Sequence, residues 1–393
     1  MAKWRQTTLG EFASLQRGHD LPGSVREPGN VPVMGSFGIT GRHSVAKAKG
    51  PGVTVGRSGA SIGVVSYIDE DYWPLNTCLY VTDFHDNNPR FTYYFLKTLD
   101  LSSYNSGSAQ PSLNRNFVHP IRISIPNRLE QDAIAQLLGA LDDKIELNRR
   151  MNETLEAMAR AIFKDWFVDF GPTCAKAARR GHPTDPKYDR PPYLAPELWD
   201  LFPDALDDDG KPVGWDVCKL EDFLELAYGK SLPAKQRTPG NVAVYGSGGL
   251  AGTHDTALIE GPAVIVGRKG TVGSIYWEDG PAFPIDTVFY VVSRIGSMLF
   301  NYHLLAAQPL SDMNTDAAVP GLNRGNAYRL EFPLPPLALI SAFDDLADPL
   351  WKRRAKNLKE TETLTQTQDL LLPKLMSGEI RLREAEKAVE TVA

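Results

Sequence analysis

The chain repeats itself once, and that repeat limits the architectures open to it more than any other feature. Trp4, Leu9 and Gly18 recur 211 residues later as Trp215, Leu220 and Gly229. The same shift carries Leu21-Pro22 to Leu232-Pro233, Gly29-Asn30-Val31 to Gly240-Asn241-Val242, Gly35-Ser36 to Gly246-Ser247, and His43 to His254. Gly50-Pro51 then meets Gly261-Pro262, and Val55-Gly56-Arg57 with Gly59 meets Val266-Gly267-Arg268 with Gly270. A one-residue slip makes the shift 210, matching Gly63, Pro74, Thr77 and Tyr80-Val81 to Gly273, Pro284, Thr287 and Tyr290-Val291. A second slip makes it 209, matching Pro111, Leu113-Asn114-Arg115 and Pro126 to Pro320, Leu322-Asn323-Arg324 and Pro335. An ordered series of this length, broken by two single slips, is the mark of a duplicated domain.

Within each copy the signals are strand and turn. Val53 to Val55 and Val264 to Val266 are β-branched runs that end in glycine, and 63–68 and 78–81 read the same way. The stretches 91–98 and 302–307 read as short helices, so each copy is an α+β unit rich in glycine turns. A helical segment follows each copy. Asn127, with Glu130 three residues on, resembles a capping box at the start of the first. Apolar residues then recur at Ile134, Leu138, Leu141, Ile145, Leu155 and Ile162, with the spacing of a coiled-coil seam. At the shift of 209 the second segment keeps the pattern: Phe343, Leu350, Asn357, Leu364 and Leu371 fall on Ile134, Leu141, Asn148, Leu155 and Ile162. A polar Asn in a seam costs stability and specifies register, so Asn148 and Asn357 either face each other in a helix pair or face solvent. A helix over 128–165 would be roughly 55 Å long at its usual rise.

The predicted order is therefore a first domain over 1–126, a long helix over 127–170, a connector over 171–214, a second domain over 215–336, a second long helix over 337–383, and a tail over 384–393 expected to fray. The connector carries eight prolines, among them Pro172, Pro191, Pro192 and Pro212, and ends near the acidic run Asp207-Asp208-Asp209. It is expected to be long and only partly ordered. No run of eighteen apolar residues predicts a membrane span. The opening residues lack the apolar core of a signal peptide. Cys78, Cys174 and Cys218 are scattered, which predicts free thiols and a cytoplasmic chain rather than a zinc site or disulfide framework.

The segment Ile125 to Gln131, followed by Ile134-Ala135, Leu138, Leu141-Asp142 and Ile145, is similar to the central helical region of the DNA-specificity subunits of type I restriction–modification systems. Phe163 to Phe170, the closing Leu375 to Ile380, and the opening of the second copy from Gly214-Trp215 to Leu220 resemble the same family. The second helical segment departs from it by starting Pro335-Pro336-Leu337, without the Glu130-Gln131 pair of the first. The resemblance spans essentially the whole chain. It implies an α+β fold of two similar target-recognition domains separated by a long antiparallel helix pair, a coiled coil, with a pseudo-two-fold internal repeat. It implies a non-catalytic subunit that reads a bipartite, asymmetric double-stranded DNA target and recruits two modification (methyltransferase) subunits, with restriction (nuclease–translocase) subunits as further partners. S-adenosylmethionine would be held by the modification subunits and no cofactor by this chain. The helix pair would set the gap of unread base pairs, with Asn148, Asn357, Leu141, Leu350, Leu155 and Leu364 holding its register. The alternatives are a scaffold whose domains bind protein, or a self-contained DNA-modifying enzyme.

Motifs for catalysis are missing. The nearest match to an adenine methyltransferase motif is Arg190-Pro191-Pro192-Tyr193, whose Arg cannot accept a hydrogen bond from the target amine. No phosphate loop or His-Glu-x-x-His occurs. The net charge of −6 runs against a nucleic-acid binder, since phosphate contacts need Lys and Arg, so a DNA face must be a local patch. Candidates are the recurring Gly-Arg-x-Gly loops, with Arg57 and Ser58 in one copy and Arg268 and Lys269 in the other. An Arg there forks onto guanine or clamps phosphate, or else is a solvated turn residue. A second recurring loop offers Gln110, Asn114 and Arg115 against Asn323 and Arg324, where the Asn residues read adenine or cap a turn. Arg42, Lys47 and Lys49 form a basic cluster in the first copy alone. His43 and His254 read as loop or core histidines. Positions that differ between copies, such as Ser58 against Lys269, are where two half-sites would come to differ.

Overall fold

Both copies of the repeat build the same strand pairings, in the same register but for a bulge at Ser14–Leu15 of the first. The computed structural model describes residues 4–105, 112–182, 185–314 and 321–390. In the first copy a four-stranded antiparallel sheet runs Ser14–Arg17, Cys78–Asp83, Gly52–Gly56, Val65–Ile68. In the second it runs Leu224–Tyr228, Val288–Ser293, Ala263–Gly267, Ile275–Glu278. Thr54 lies opposite Tyr80, and its counterpart Ile265 opposite Tyr290, so the pairing has survived the first slip of the repeat. A three-stranded sheet accompanies each, and its short third strand is parallel to the middle one: Val33 with Trp73, and Val244 with Phe283. An antiparallel ribbon closes each copy, Arg5–Thr8 on Arg122–Ile125 and Val217–Lys219 on Glu331–Pro333. The Gly50–Pro51 and Gly261–Pro262 peptides are cis in both.

The short helices are Pro89–Lys97 and Met298–Ala306, the second starting four residues before the stretch read from sequence because Ser297 caps it. The long helices run Arg128–Phe167 and Leu337–Ser377. Asn127 Oδ1 accepts from Glu130 N at 3.0 Å, the expected helix start. The second helix continues through Pro349 and Pro373, which have no N–H for its ladder. Phe343, Ala347 and Trp351 around the first proline, and Leu371, Leu375 and Met376 around the second, are buried.

The chain divides into two units, Met1–Arg149 with Leu358–Ala393, and Arg150–Asn357. Each therefore owns part of both long helices. In the first unit Ile134, Leu138 and Leu141 share a core with Leu364, Leu371 and Leu375 and with Leu9, Phe12 and Phe95 of the sheet domain. Gln368 Nε2 donates to Asp142 Oδ1 at 2.7 Å, and Asn148 Nδ2 donates to Glu360 Oε2 at 3.0 Å. Partner numbers fall on one helix as they rise on the other, so the segments are antiparallel. In the second unit Asn357 Nδ2 donates to Asn152 Oδ1 at 2.9 Å, and Arg354 pairs with Glu156, again antiparallel. The core there joins Ala159, Phe163 and Trp166 to Phe343, Ala347 and Trp351. Leu155 and Leu350 are half-buried.

Three expectations need correction. Asn148 and Asn357 neither face each other nor face solvent: both are buried, Asn148 bonded to Glu360 and Asn357 to Asn152, because each falls beside a different residue of the facing helix. The connector does not begin as a loose segment: Gly171–Arg179 is helical, with Cys174, Ala175 and Ala177 buried, and Phe202 packs its ring 5.1 Å from Trp166. Proline at the second position of that helix suits a helix start, where its N–H is not required. The second long helix stops at Ser377, and Gly378, with φ of 74°, turns the chain. The tail expected to fray is instead helical over Leu382–Glu390 and buries Ala385. Among the described residues no helix is long and apolar enough to cross a membrane.

His303 lies in an aromatic cage of Phe163, Phe343 and Trp351, with ring centroids 5.0–5.6 Å away. Burial, and then the charge of Arg160, push its imidazole down to about 4 from the usual 6.5. The unfolded chain takes up this proton near the usual value and the folded chain only near the lowered one. Its contribution is therefore full above pH 6.5 and is lost as pH falls toward 4, by about 3 kcal/mol in all. Urea midpoints measured across that window are expected to fall less steeply for His303→Leu than for the parent chain.

Candidate nucleic-acid interface

The Gly-Arg-x-Gly loops leave the third strand of each four-stranded sheet at the same place. Gly56 and Gly267 are the last residues of that strand, and a Cβ on either would strike the carbonyl oxygen of Ser61 or Thr271. Gly59 and Gly270 have φ of 75° and 83°, which side-chain-bearing residues rarely adopt. The backbone between is thereby held, and with it the arginine. Arg57 N donates to Thr77 O at 2.9 Å, and Arg268 N to Thr287 O at 3.0 Å. The guanidinium of Arg57 reaches Asn76 O at 3.4 Å, and that of Arg268 reaches Asp286 O, at the equivalent position, at 2.6 Å.

The second recurring loop crosses beside the first. Leu113 N donates to Arg57 O, and Leu322 N to Arg268 O. Short bridges pair Ser58 with Ser112 and Lys269 with Gly321. Asn114 and Asn323 cap the short helices that follow, accepting from Asn116 N at 3.0 Å and Asn326 N at 3.2 Å. Arg115 and Arg324 are the first residues of those helices. Gln110 lies outside the described residues, as do Pro111 and Pro320 of the same loop.

In the first copy these loops enclose an open cavity of about 410 Å³, with Arg17, Arg57 and Arg115 on its sides and Leu79 and Leu113 among its lining. Gln16 and His19 also line it. The sheet edge beneath is closed by His119, whose Nε2 accepts Leu15 N at 3.0 Å. Burial, and then the Arg115 charge, hold that imidazole below the usual histidine value, the direction that suits an accepting Nε2. In the second copy Tyr328 does the same work, its hydroxyl accepting from Leu226 N at 3.0 Å.

The second copy surrounds its equivalent site differently. Tyr228, at the position of Arg17, holds the guanidinium of Arg324 at 4.7 Å and that of Arg268 at 5.3 Å from its ring centroid. Lys230 stands where the first copy has His19. Arg17, His19, Tyr228 and Lys230 were not singled out from sequence. The signal that finds them is the repeat itself, since they flank the matched Gly18 and Gly229 and differ between copies.

Arg42, Lys47 and Lys49 do not line this cavity. Arg42 donates to Asn30 O, Lys47 sits 5.6 Å from the Trp73 ring centroid, and Lys49 is exposed. His43 and His254 are structural: through Nδ1 each accepts a backbone N–H, from Glu27 at 3.0 Å and Thr238 at 3.1 Å.

Comparison with known proteins gives a consistent picture. A family described as the type I restriction modification DNA specificity domain matches residues 1–157 and 212–340. The HindI specificity subunit of a type I restriction enzyme from Haemophilus influenzae is 26% identical over 363 residues, spanning 74% of this chain and 77% of its own. The MjaIX specificity subunit from Methanocaldococcus jannaschii is 26% identical over 328 residues, spanning 75% and 69%. The solved S subunit of a type I restriction–modification system from M. genitalium shares the fold, with TM-score 0.62 at 19% identity over 95% of this chain and 96% of its own.

Gly56→Ala and Gly267→Ala would drive a methyl group into backbone and are each expected to destabilise their own unit by about 2–3 kcal/mol. Urea unfolding followed against the parent chain checks this.

Proposed function

We propose how a chain that belongs to the type I restriction modification DNA specificity family carries out its role: each copy of the repeat reads one half of a split, asymmetric double-stranded DNA target. The observation that carries this reading is the same arginine pair, Arg57 with Arg115 and Arg268 with Arg324, beside the same glycine-built loop in both copies. Arginine is suited both to phosphate and to guanine edges. The overall charge of −6 is no obstacle, because three arginines converge on the first cavity. Asn114 and Asn323 spend Oδ1 on capping, which favours a role in shaping the loops over reading adenine. Ser58 and Lys269, at equivalent positions, add to the difference between the half-sites. Lys47, Lys49 and Arg42 serve as an outer basic patch toward the DNA backbone.

The chain acts without chemistry of its own, in the cytoplasm, and recruits two modification subunits that bind S-adenosylmethionine; restriction subunits join the same assembly. The long helices set the number of unread base pairs. Support comes from their course, since each starts in one unit and ends in the other. Asn148, Asn357, Leu141, Leu350, Leu155 and Leu364 hold their register.

Purified chain, modification subunits and S-adenosylmethionine should together methylate one defined split sequence. Methylation by this chain alone, or by a complex indifferent to sequence, overturns the proposal. Inserting seven residues in phase into both helices adds about 10 Å, or about three base pairs of axial length. Mapping of methylated sites should then show a gap longer by that amount between unchanged half-sites. Replacing Arg57 by Ala should weaken methylation through one half-site and leave the other as it was.

A further inference from the structure

We infer that the residue ending the first strand of each four-stranded sheet, Arg17 in one copy and Tyr228 in the other, is a specificity-determining position, and that Arg17 selects a guanine in its half-site. This rests on the reading of the two copies as DNA-recognition units.

The argument separates what the copies share from what they do not. Shared features cannot distinguish two half-sites. Arg57 and Arg268 lean on the carbonyl of the same loop position, and Arg115 and Arg324 follow the same capping asparagine. Their common task is one that every DNA sequence presents, the phosphate backbone. At position 17/228 the backbone is equally shared. The next residue is Gly18 or Gly229, where a Cβ would strike the carbonyl of Leu75 or Ile285. Only the side chain changes.

That change alters the chemistry offered to a base. Tyr228 is half exposed, and its ring lies against the guanidinium groups of both Arg268 and Arg324. It steadies the shared pair and presents one hydroxyl. Arg17 has no ring to lend. Its side chain is 54% exposed, and its ion pair is with Asp20, 3.4 Å away and 68% exposed. An exposed pair of that kind is given up at little cost. The guanidinium then has a two-pronged donor set for O6 and N7 of guanine, which no tyrosine can imitate. Arg17, Arg57 and Arg115 line one cavity, so backbone grip and base reading fall within reach of one DNA segment.

The test uses the complex with its modification subunits and a DNA library randomised across both half-sites. Arg17→Tyr installs the residue that the second copy already carries at this place, and Arg17→Lys keeps the charge without the fork. Both variants are expected to lose guanine selection at one position of one half-site, by about tenfold or more. The other half-site should be unchanged, and Arg17→Lys should keep its affinity for unselected DNA. Arg57→Ala should instead weaken binding through its own half-site without changing which bases are preferred there, and flatten its salt dependence. Unaltered base preference in both Arg17 variants, in a complex whose parent is sequence-selective, overturns this inference alone. A parent complex that selects no sequence overturns the reading beneath it as well.

Discussion

Both units depend on pairing helix segments that lie far apart in sequence, 198 residues at Glu156 and Arg354 and 226 at Asp142 and Gln368. Neither sheet domain closes its own core. The first needs Ile134, Leu138 and Leu141 from one helix and Leu364, Leu371 and Leu375 from the other. The second needs Phe163 and Trp166 with Phe343 and Trp351. The apolar faces supply the attraction, but apolar contact alone tolerates sliding. Register comes from buried amides that must find partners: Asn357 with Asn152, Asn148 with Glu360, and Gln368 with Asp142. A slip of one turn would strand these groups away from water, at about 1–3 kcal/mol each.

The two units solve this problem with different chemistry at equivalent places. In the first, Tyr94 donates its hydroxyl to Asp142, which also accepts from Gln368, a polar triad joining the short helix to both long ones. At the shift of 209 these positions become His303, Trp351 and Ala159, all buried in an aromatic core. Hydrogen bonding has given way to ring packing while the backbone has kept its course. The same freedom operates at the groove, where Arg17 and Tyr228 exchange a charge for a ring on an unchanged strand. Duplication provides two frames, and divergence at a few positions gives them different surfaces.

Much of this was legible beforehand, and residue by residue the reasons are clear. The Gly-Arg-x-Gly loops stood out because glycine there answers to backbone sterics that both copies must obey. The strands at Gly52–Gly56 and Ala263–Gly267 stood out because their β-branched runs are short and bounded. Arg17 and Tyr228 belong to no motif, and only their place beside the matched Gly18 and Gly229 marks them. Their meaning lies in the rings and guanidinium groups that the fold brings alongside. Gln131 was read only as part of a resemblance, yet it is buried and ties Asn87 and Asn88 to the helix start.

From the sequence by itself came the duplication, the two slips in its spacing, the strand-and-turn character of each copy and the long apolar seams, because these are periodic properties of a linear string. Tertiary structure alone decided which seam meets which, how the buried amides are partnered, that the proline-rich connector opens as a packed helix, and that the last helix buries Ala385. Those outcomes depend on what stands opposite a residue once the chain has closed on itself. Burial and hydrogen bonding are set by neighbours in space, and such neighbours leave no regular trace in the order of the residues.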